Sequence, residues 1–272
     1  MRLNVFYKCF LYSILISASS IVSTLASEKE TSISVSIDEN IIRENMSFNR
    51  ILELAEEGVT QAKYVTGRSY IYGARTIKNS SLGLIWLKQA AEEGHVQAQK
   101  EVGDHCRNGE VVTQNFDEAR HFYELASSNG DLEAAYSIGY MYEKGEGVDT
   151  NAKSASEWYK IASDGGYPYA QSGLGALHVS GNGVERNYTE ALRLFRLAAK
   201  QSYAGAQYNL GAMYANGSGV APDMVRAFAW FSIAASNGSE QGMQAVQSIN
   251  DYLSADQIRG MENLRKLLES EI

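Results

Sequence analysis

Cysteine and proline are nearly missing from this chain, with two of each in 272 residues, and bases are in short supply, 24 Lys and Arg against 32 Asp and Glu. Each shortage excludes something. Small exported domains without a sufficient core are commonly stapled by disulfides. Here Cys9 lies at the edge of an N-terminal apolar stretch and Cys106 stands alone beyond it, so removal of that stretch leaves no intramolecular pair. Cys106 is therefore expected as a packed core thiol, an intermolecular disulfide being the alternative. Proline interrupts helix interiors, so its scarcity suits a helix-rich chain. The acidic balance argues against nucleic acid, which is bound through clustered Lys and Arg. It favours solubility, or a partner with basic patches.

One long apolar run stands out, at the N-terminus. Arg2 and Lys8 precede an apolar stretch from Cys9 to Val22 that ends at Thr24-Leu25-Ala26, the layout of a cleavable secretory leader. Cys9 precedes the stretch instead of closing it, which speaks against a lipoprotein. Residues 1–26 are expected as a signal peptide and 27–46 as a flexible linker. Cleavage removes two bases and no acids, leaving 22 bases against 32 acids, a net charge of −10. The mature chain is thus expected without a stable membrane anchor, in the periplasm or outside the cell.

The chemistry of common active sites is also thin. No Ser-x-x-Lys occurs, which removes the simplest serine β-lactamase or penicillin-binding arrangement. His105, Cys106 and His121 invite a zinc reading, but neighbouring helix positions 105 and 106 point about 100° apart. Gly145-x-Gly147, Gly181-x-Gly183 and Gly217-x-Gly219 resemble phosphate loops, yet lack the preceding strand and the following Lys-Ser/Thr. No metal, no cofactor and no catalytic residue is expected. Asn-x-Ser/Thr sequons occur at Asn45, Asn79, Asn187, Asn216 and Asn237. They matter only where the host glycosylates secreted proteins.

What the chain does have is a period. Gly67, Gly103, Gly139, Gly175 and Gly211 are spaced by 36 residues, and Gly73, Gly109, Gly145, Gly181 and Gly217 follow six behind. Such intervals mark stacked supersecondary units that bury their apolar faces only against neighbours. Ala206, Leu210, Met213 and Gly217 share one helical face, and Ala227, Trp230, Phe231 and Ala234 share another, so each unit reads as two helices. A glycine within a helix costs roughly 0.5–1 kcal/mol against alanine, so the Gly67 column predicts close helix contact with a bulky Trp or Tyr from the partner helix. The Gly73 and Gly94 columns fall where helices should end. The column Asn79, Asn115, Asn151, Asn187 and Asp223 is of N-cap type.

The run Ala206, Leu210, Gly211, Tyr214, Gly217, Gly219, Val220, Asp223, Ala227, Trp230, Ala234, Ala235 and Gly238 resembles the Sel-1-like repeat, a relative of the tetratricopeptide repeat. The resemblance implies an all-α fold, a right-handed α-α superhelix of five repeats over 61–240. A partial capping repeat is expected at 47–60 and a C-terminal helical cap at 241–272, where Ser254 and Gln257 give a helix-start signal. The first unit departs most, with Thr66 in the leucine column and Arg75 where later units have glycine. One branch of the family carries a cysteine pair per repeat; this chain does not, so the β-lactam chemistry attached to that branch is not implied.

Stacked repeats present an extended surface, which shifts the functional expectation from catalysis to binding. Positions three and seven of each first helix lie four apart on one face. If that face is concave, as in tetratricopeptide arrays, Tyr64, Arg68, Tyr136, Tyr140 and Tyr208 form a stripe suited to a protein or peptide partner, Tyr and Arg being common interface anchors. The expectation is a non-enzymatic, monomeric, exported bacterial scaffold. Its alternatives are a secreted host-interaction factor and an enzyme acting on cell wall or β-lactams.

Overall fold

The structure is a computed structural model that describes residues 46–250 and 255–271. The leader expected at 1–26, the linker apart from Met46, and the Ser254 end of the expected cap lie outside the described residues. These residues form thirteen α-helices and no strand, as the 3.6-residue pattern in both halves of the unit requires. None of these helices is long and apolar enough to cross a membrane.

The chain divides into two compact units after Ala98. In the first, α1 (Phe48–Glu56), α2 (Thr60–Tyr72) and α3 (Ser80–Glu92) follow one another. Ile51, Leu54, Ala55 and Ala62 form their buried cluster, with Met46, Val59, Val65 and Trp86 packed against it. In the second lie α4 (Val96–Asn108, which begins at the division), α5 (Phe116–Ser128), α6 (Leu132–Lys144), α7 (Ala152–Asp164), α8 (Pro168–Ser180), α9 (Tyr188–Lys200), α10 (Ala204–Asn216), α11 (Met224–Ser236), α12 (Glu240–Asn250) and α13 (Ala255–Glu271). From α2 to α11 every helix is thirteen residues long, so the 36-residue interval has become an invariant helical hairpin.

The columns explain that regularity. Each second helix begins at the Asn/Asp column, whose side-chain oxygen accepts the backbone N–H three residues on: Asn115 from Glu118 at 3.1 Å, Asn187 from Glu190 at 3.0 Å, Asp223 from Arg226 at 2.9 Å. First helices stop where the chain turns left-handed, as at Gly145 with φ 76°, a conformation that penalises any Cβ. Close contact within the hairpin is made at the other glycine column. A Cβ on Gly211 would stand 2.6 Å from Phe231 Cδ1 and 3.1 Å from the Ala227 carbonyl oxygen. Of the Trp or Tyr expected there, the partner is Tyr at Tyr123 and Tyr159 and at no position Trp; the same column holds Leu87, Phe195 and Phe231 in the other units.

Between units the core alternates small and large side chains. Ala155, Tyr159, Ala162, Ala170, Leu174 and Leu177 make one buried cluster, and Phe195, Ala206, Leu210, Trp230 and Phe231 belong to the next. Cys106 is fully buried, as its place in an aromatic column implied. At the C-terminal end Met261 of α13 is buried and Leu268 packs on the Leu210–Phe231 cluster.

Candidate functional site

In the second unit, α8 and α10 carry small or short side chains along one side. On α8 these are Ser172, Gly173 and Ala176, and on α10 Asn209 and Ala212. The space they leave is an open groove of about 470 Å³, walled by Tyr136, Tyr140, Tyr159, Tyr169 and Tyr203 and carrying one charged lining residue, Glu143. Ala176 and Asn209 also line an adjoining hollow of about 150 Å³ that includes Ala212, Asn216 and Ser218. A second hollow, of about 350 Å³, is lined by Glu157, Lys160, Asp164, His178, Glu190 and Arg193. There charge is answered internally, Lys160 by Asp164 at 2.6 Å and Arg193 by Glu190 at 2.6 Å.

Tyr136 is the hub of the aromatic wall. Its ring stacks on Tyr159 at 5.4 Å and lies 5.5 Å from Tyr167, 5.9 Å from Tyr169 and 6.2 Å from Tyr140. Tyr167 stacks on Tyr169 at 5.4 Å, and Tyr169 reaches Tyr203 at 4.5 Å. Offset and tilted arrangements at these separations are favourable for aromatic quadrupoles. The hydroxyl of Tyr159 donates to Glu143 Oε2 at 2.7 Å. Arg107 lies over the Tyr140 ring at 4.9 Å and Lys144 at 5.4 Å.

Burial sets the chemistry of these phenols. It pushes Tyr136 up to about 12, with the nearby Tyr203 and Glu143 adding to the effect. Tyr159 is raised by burial and by its bond to Glu143, Tyr167 by burial and by Glu133, and Tyr203 by burial and by Tyr169. At neutral pH all four are therefore neutral hydrogen-bond donors with apolar faces. They can stack, cover and donate, but cannot act as tyrosinate bases. Among the described residues no group of three or more His, Cys, Asp or Glu is placed to hold a metal ion.

The five residues singled out in the sequence do not share one environment. Tyr136 and Tyr140 are together in the groove wall. Tyr64 and Arg68 belong to the first unit, where Arg68 lies 5.6 Å from the Tyr64 ring and Tyr64 stacks on His95 at 4.3 Å. Tyr208 packs on Phe231 at 5.3 Å, against the core of its own hairpin. The spacing argument finds the helix face but misses Tyr159, Tyr167, Tyr169 and Tyr203, which come from other positions of the unit.

A signal for two of them is present in the sequence. The residue before each first helix is its N-cap: Val59, His95, Asp131, Tyr167, Tyr203 and Ser239. His95 Nδ1 accepts from Ala98 N at 3.2 Å, Asp131 from Ala134 N at 2.8 Å and Ser239 from Gly242 N at 3.0 Å. Val59, Tyr167 and Tyr203 make no side-chain cap bond. A lost cap costs about 1 kcal/mol, and of the three units that forgo it, one places Tyr203 in the groove wall and another places Tyr167 against Tyr136 and Tyr169 of that wall. Local rules are broken in this way mostly at functional sites.

Comparison with known proteins agrees with the repeat period. The family model of the Sel1 repeat matches residues 60–95, 96–131, 132–167, 168–203 and 204–239. Among solved structures, the chain is similar to c5321, described as a protective antigen present in uropathogenic Escherichia coli strains displaying an SLR fold. The identity is 27% and the TM-score 0.74, over 82% of this chain and 49% of that one, so this chain spans about half its length. A Sel1 repeat protein from Oxalobacter formigenes is similar at 26% identity and TM-score 0.64, over 77% of this chain and 88% of that one. No curated protein matches the chain.

Proposed function

Since the chain belongs to the Sel1 repeat family, whose members are generally non-enzymatic scaffolds that bind protein partners, we propose that it is an exported interaction scaffold that holds a peptide segment of a partner in the Tyr136–Tyr203 groove. One observation carries this reading: Tyr203, at an N-cap position without capping, lines the groove with Tyr136 and Tyr169, and Tyr167, at another such position, packs against both of those rings. The groove is preformed, its tyrosines being held by mutual stacking. A partner segment would therefore meet surface that has already lost its rotamer freedom, which lowers the ordering cost of association. Tyrosines give large contact area with one polar tip each, the profile of interface anchors. Export rests on the leader-like residues 2–26.

The test is capture of partners by immobilised residues 27–272 from extracts of the source cell. The expected result is a partner retained by the native chain and lost by the Tyr169→Ala, Tyr203→Ser double variant, which keeps native helicity. Undiminished capture by that folded variant would overturn the groove. Fractionation into cytoplasm, periplasm and medium tests export, and a full-length chain confined to the cytoplasm overturns it.

A second reading, a factor acting outside the cell on a host, is favoured by the likeness to c5321, a protein described as a protective antigen. It predicts accumulation in the medium. The β-lactam alternative has no support in the groove chemistry, and a nitrocefin assay on the purified chain checks it.

A further inference from the structure

The chemistry of the groove narrows what its occupant can be. Three cations on α4 and α6 are already held by carboxylates. Lys100 is paired with Asp104 at 3.0 Å and Glu133 at 3.1 Å, Arg107 with Glu146 at 2.7 Å, and Lys144 with Glu143 at 2.6 Å. With Asp131, whose charge is felt at Tyr167, five acids stand against three bases. Among the described residues no cation lines the groove, where Glu143 is the one charged group. Its Oε1 accepts from Lys144 and its Oε2 from Tyr159, which leaves lone pairs on both oxygens. An uncharged segment lying over Glu143 would strip water from a carboxylate that its half-exposed Lys144 partner only partly answers, and that is costly.

The wall also shows what it attracts. Tyr140 carries two of the chain's own cations over its ring, Arg107 and Lys144. Tyr169 and Tyr203 meet at 4.5 Å with their planes tilted by 47°, next to Tyr136, and make a corner of ring faces and edges in the same groove. Tyr169 is 46% exposed. Ring faces beside a carboxylate form a receptor for a cation, since the quadrupole and the charge act with the same sign. An anionic segment would meet the acid excess without a free base to answer it.

We propose that the occupant is a basic segment of a partner protein, with a Lys or Arg side chain seated among the rings of Tyr136, Tyr169 and Tyr203 and balanced by the Glu143 carboxylate. This deepens the peptide-groove reading and rests on it.

The experiment titrates the full chain with two blocked pentapeptides, acetyl-Gly-Ser-Arg-Ser-Gly-amide and the same peptide with neutral citrulline for arginine, followed by two-dimensional NMR. The arginine peptide is expected to shift resonances of the groove residues saturably at millimolar concentration, and the citrulline peptide to bind about tenfold more weakly. Glu143→Gln keeps an acceptor for the Tyr159 hydroxyl, so it should fold. It is expected to weaken the arginine peptide about tenfold without changing the citrulline peptide, and Glu143→Asp should restore most of the loss. Equal binding of the two peptides in the groove, indifference to Glu143→Gln, or no saturable response to arginine would each overturn the cation inference while leaving the groove open to a neutral segment. Arginine-peptide shifts mapping to the Glu157–Glu190 hollow, together with partner capture indifferent to Tyr203→Ser, would overturn the groove as well.

Discussion

Asn129, at the C-terminal cap of α5, donates its side-chain amide to Oε1 of the buried Gln99 on α4 at 3.0 Å. The same pair of columns recurs with changed chemistry. Gln201 donates to Gln171 at 3.1 Å, Asn237 donates to Gln207 at 2.9 Å, and in the first unit Lys63 forms an ion pair with Glu93. Between them stands Ala135 with Gly165, where Leu132 fills the space that a Cβ on Gly165 would need. In four hairpins a polar contact thus joins these two positions, and in the fifth both positions are small. The hairpin that uses the small pair carries Tyr136 and Tyr140.

Gln207 accepts from Asn237 and donates to the Ala199 carbonyl at 3.2 Å while 1% exposed. Gln207→Leu removes both bonds and takes the acceptor from the Asn237 amide, while the Ala199 carbonyl keeps the Ser202 backbone N–H at 2.9 Å, so a loss of about 1–3 kcal/mol for the two bonds is expected. Urea unfolding measures it. A Gln207→Leu, Asn237→Ala double variant should lose less than the sum of the singles, because the two share one bond.

Gly211→Ala reverses the usual sign of a helical glycine substitution. Alanine in an open helix gains about 0.5–1 kcal/mol, but here its methyl meets the Phe231 ring at 2.6 Å. Overpacking of this kind costs about 1–3 kcal/mol. Thermal unfolding is expected to show net destabilisation, while Gly260→Ala, with nothing within 4 Å of the added carbon, should be neutral or mildly stabilising.

The uncapped tyrosines predict a trade between stability and function. Tyr203→Asp places a capping side chain before α10, as Asp131 does before α6, and should gain about 1 kcal/mol from the cap. It removes the ring that meets Tyr169. A chain that is no less stable in urea and no longer retains its partner is the expected outcome, and a stable variant with intact capture would contradict it.

Alkaline pH should loosen the tyrosine wall first. The unfolded phenol ionises near 10, whereas folding pushes Tyr136 up to about 12 through burial. Between those values the unfolded chain has released a proton that the folded chain retains, so stability falls as pH rises from about 10 to 12 and is unaffected below. Tyr136→Phe is expected to remove Tyr136's share of this fall and leave the part due to Tyr123, Tyr159, Tyr167 and Tyr203, whose phenols burial also raises. Ultraviolet titration at the phenolate band, run beside urea midpoints, provides the check.

Much of this was legible in the chain. The glycine interval, the Asn/Asp column and the apolar faces predicted two helices per unit and their ends, because capping, left-handed turns and helical periodicity are local. The face shared by Tyr136 and Tyr140 was legible for the same reason. What escaped was identity across the hairpin: the glycine column meets Tyr123, Tyr159, Phe195 and Phe231, and not the neighbouring Trp158 or Trp230. One residue along a helix is about 100° of rotation, and only the crossing of two helices says which side chain faces the gap.

The sequence by itself determined the repeat, the helices and their caps, since each depends on contacts within a few residues. Tertiary structure alone decided that Tyr136 and Tyr140 share a wall with Tyr159, Tyr167, Tyr169 and Tyr203, while Tyr208 turns into its own hairpin against Phe231. Those six tyrosines come from five different columns of the unit and two successive repeats. No periodicity joins them; the packing of α6, α7, α8 and the start of α10 does.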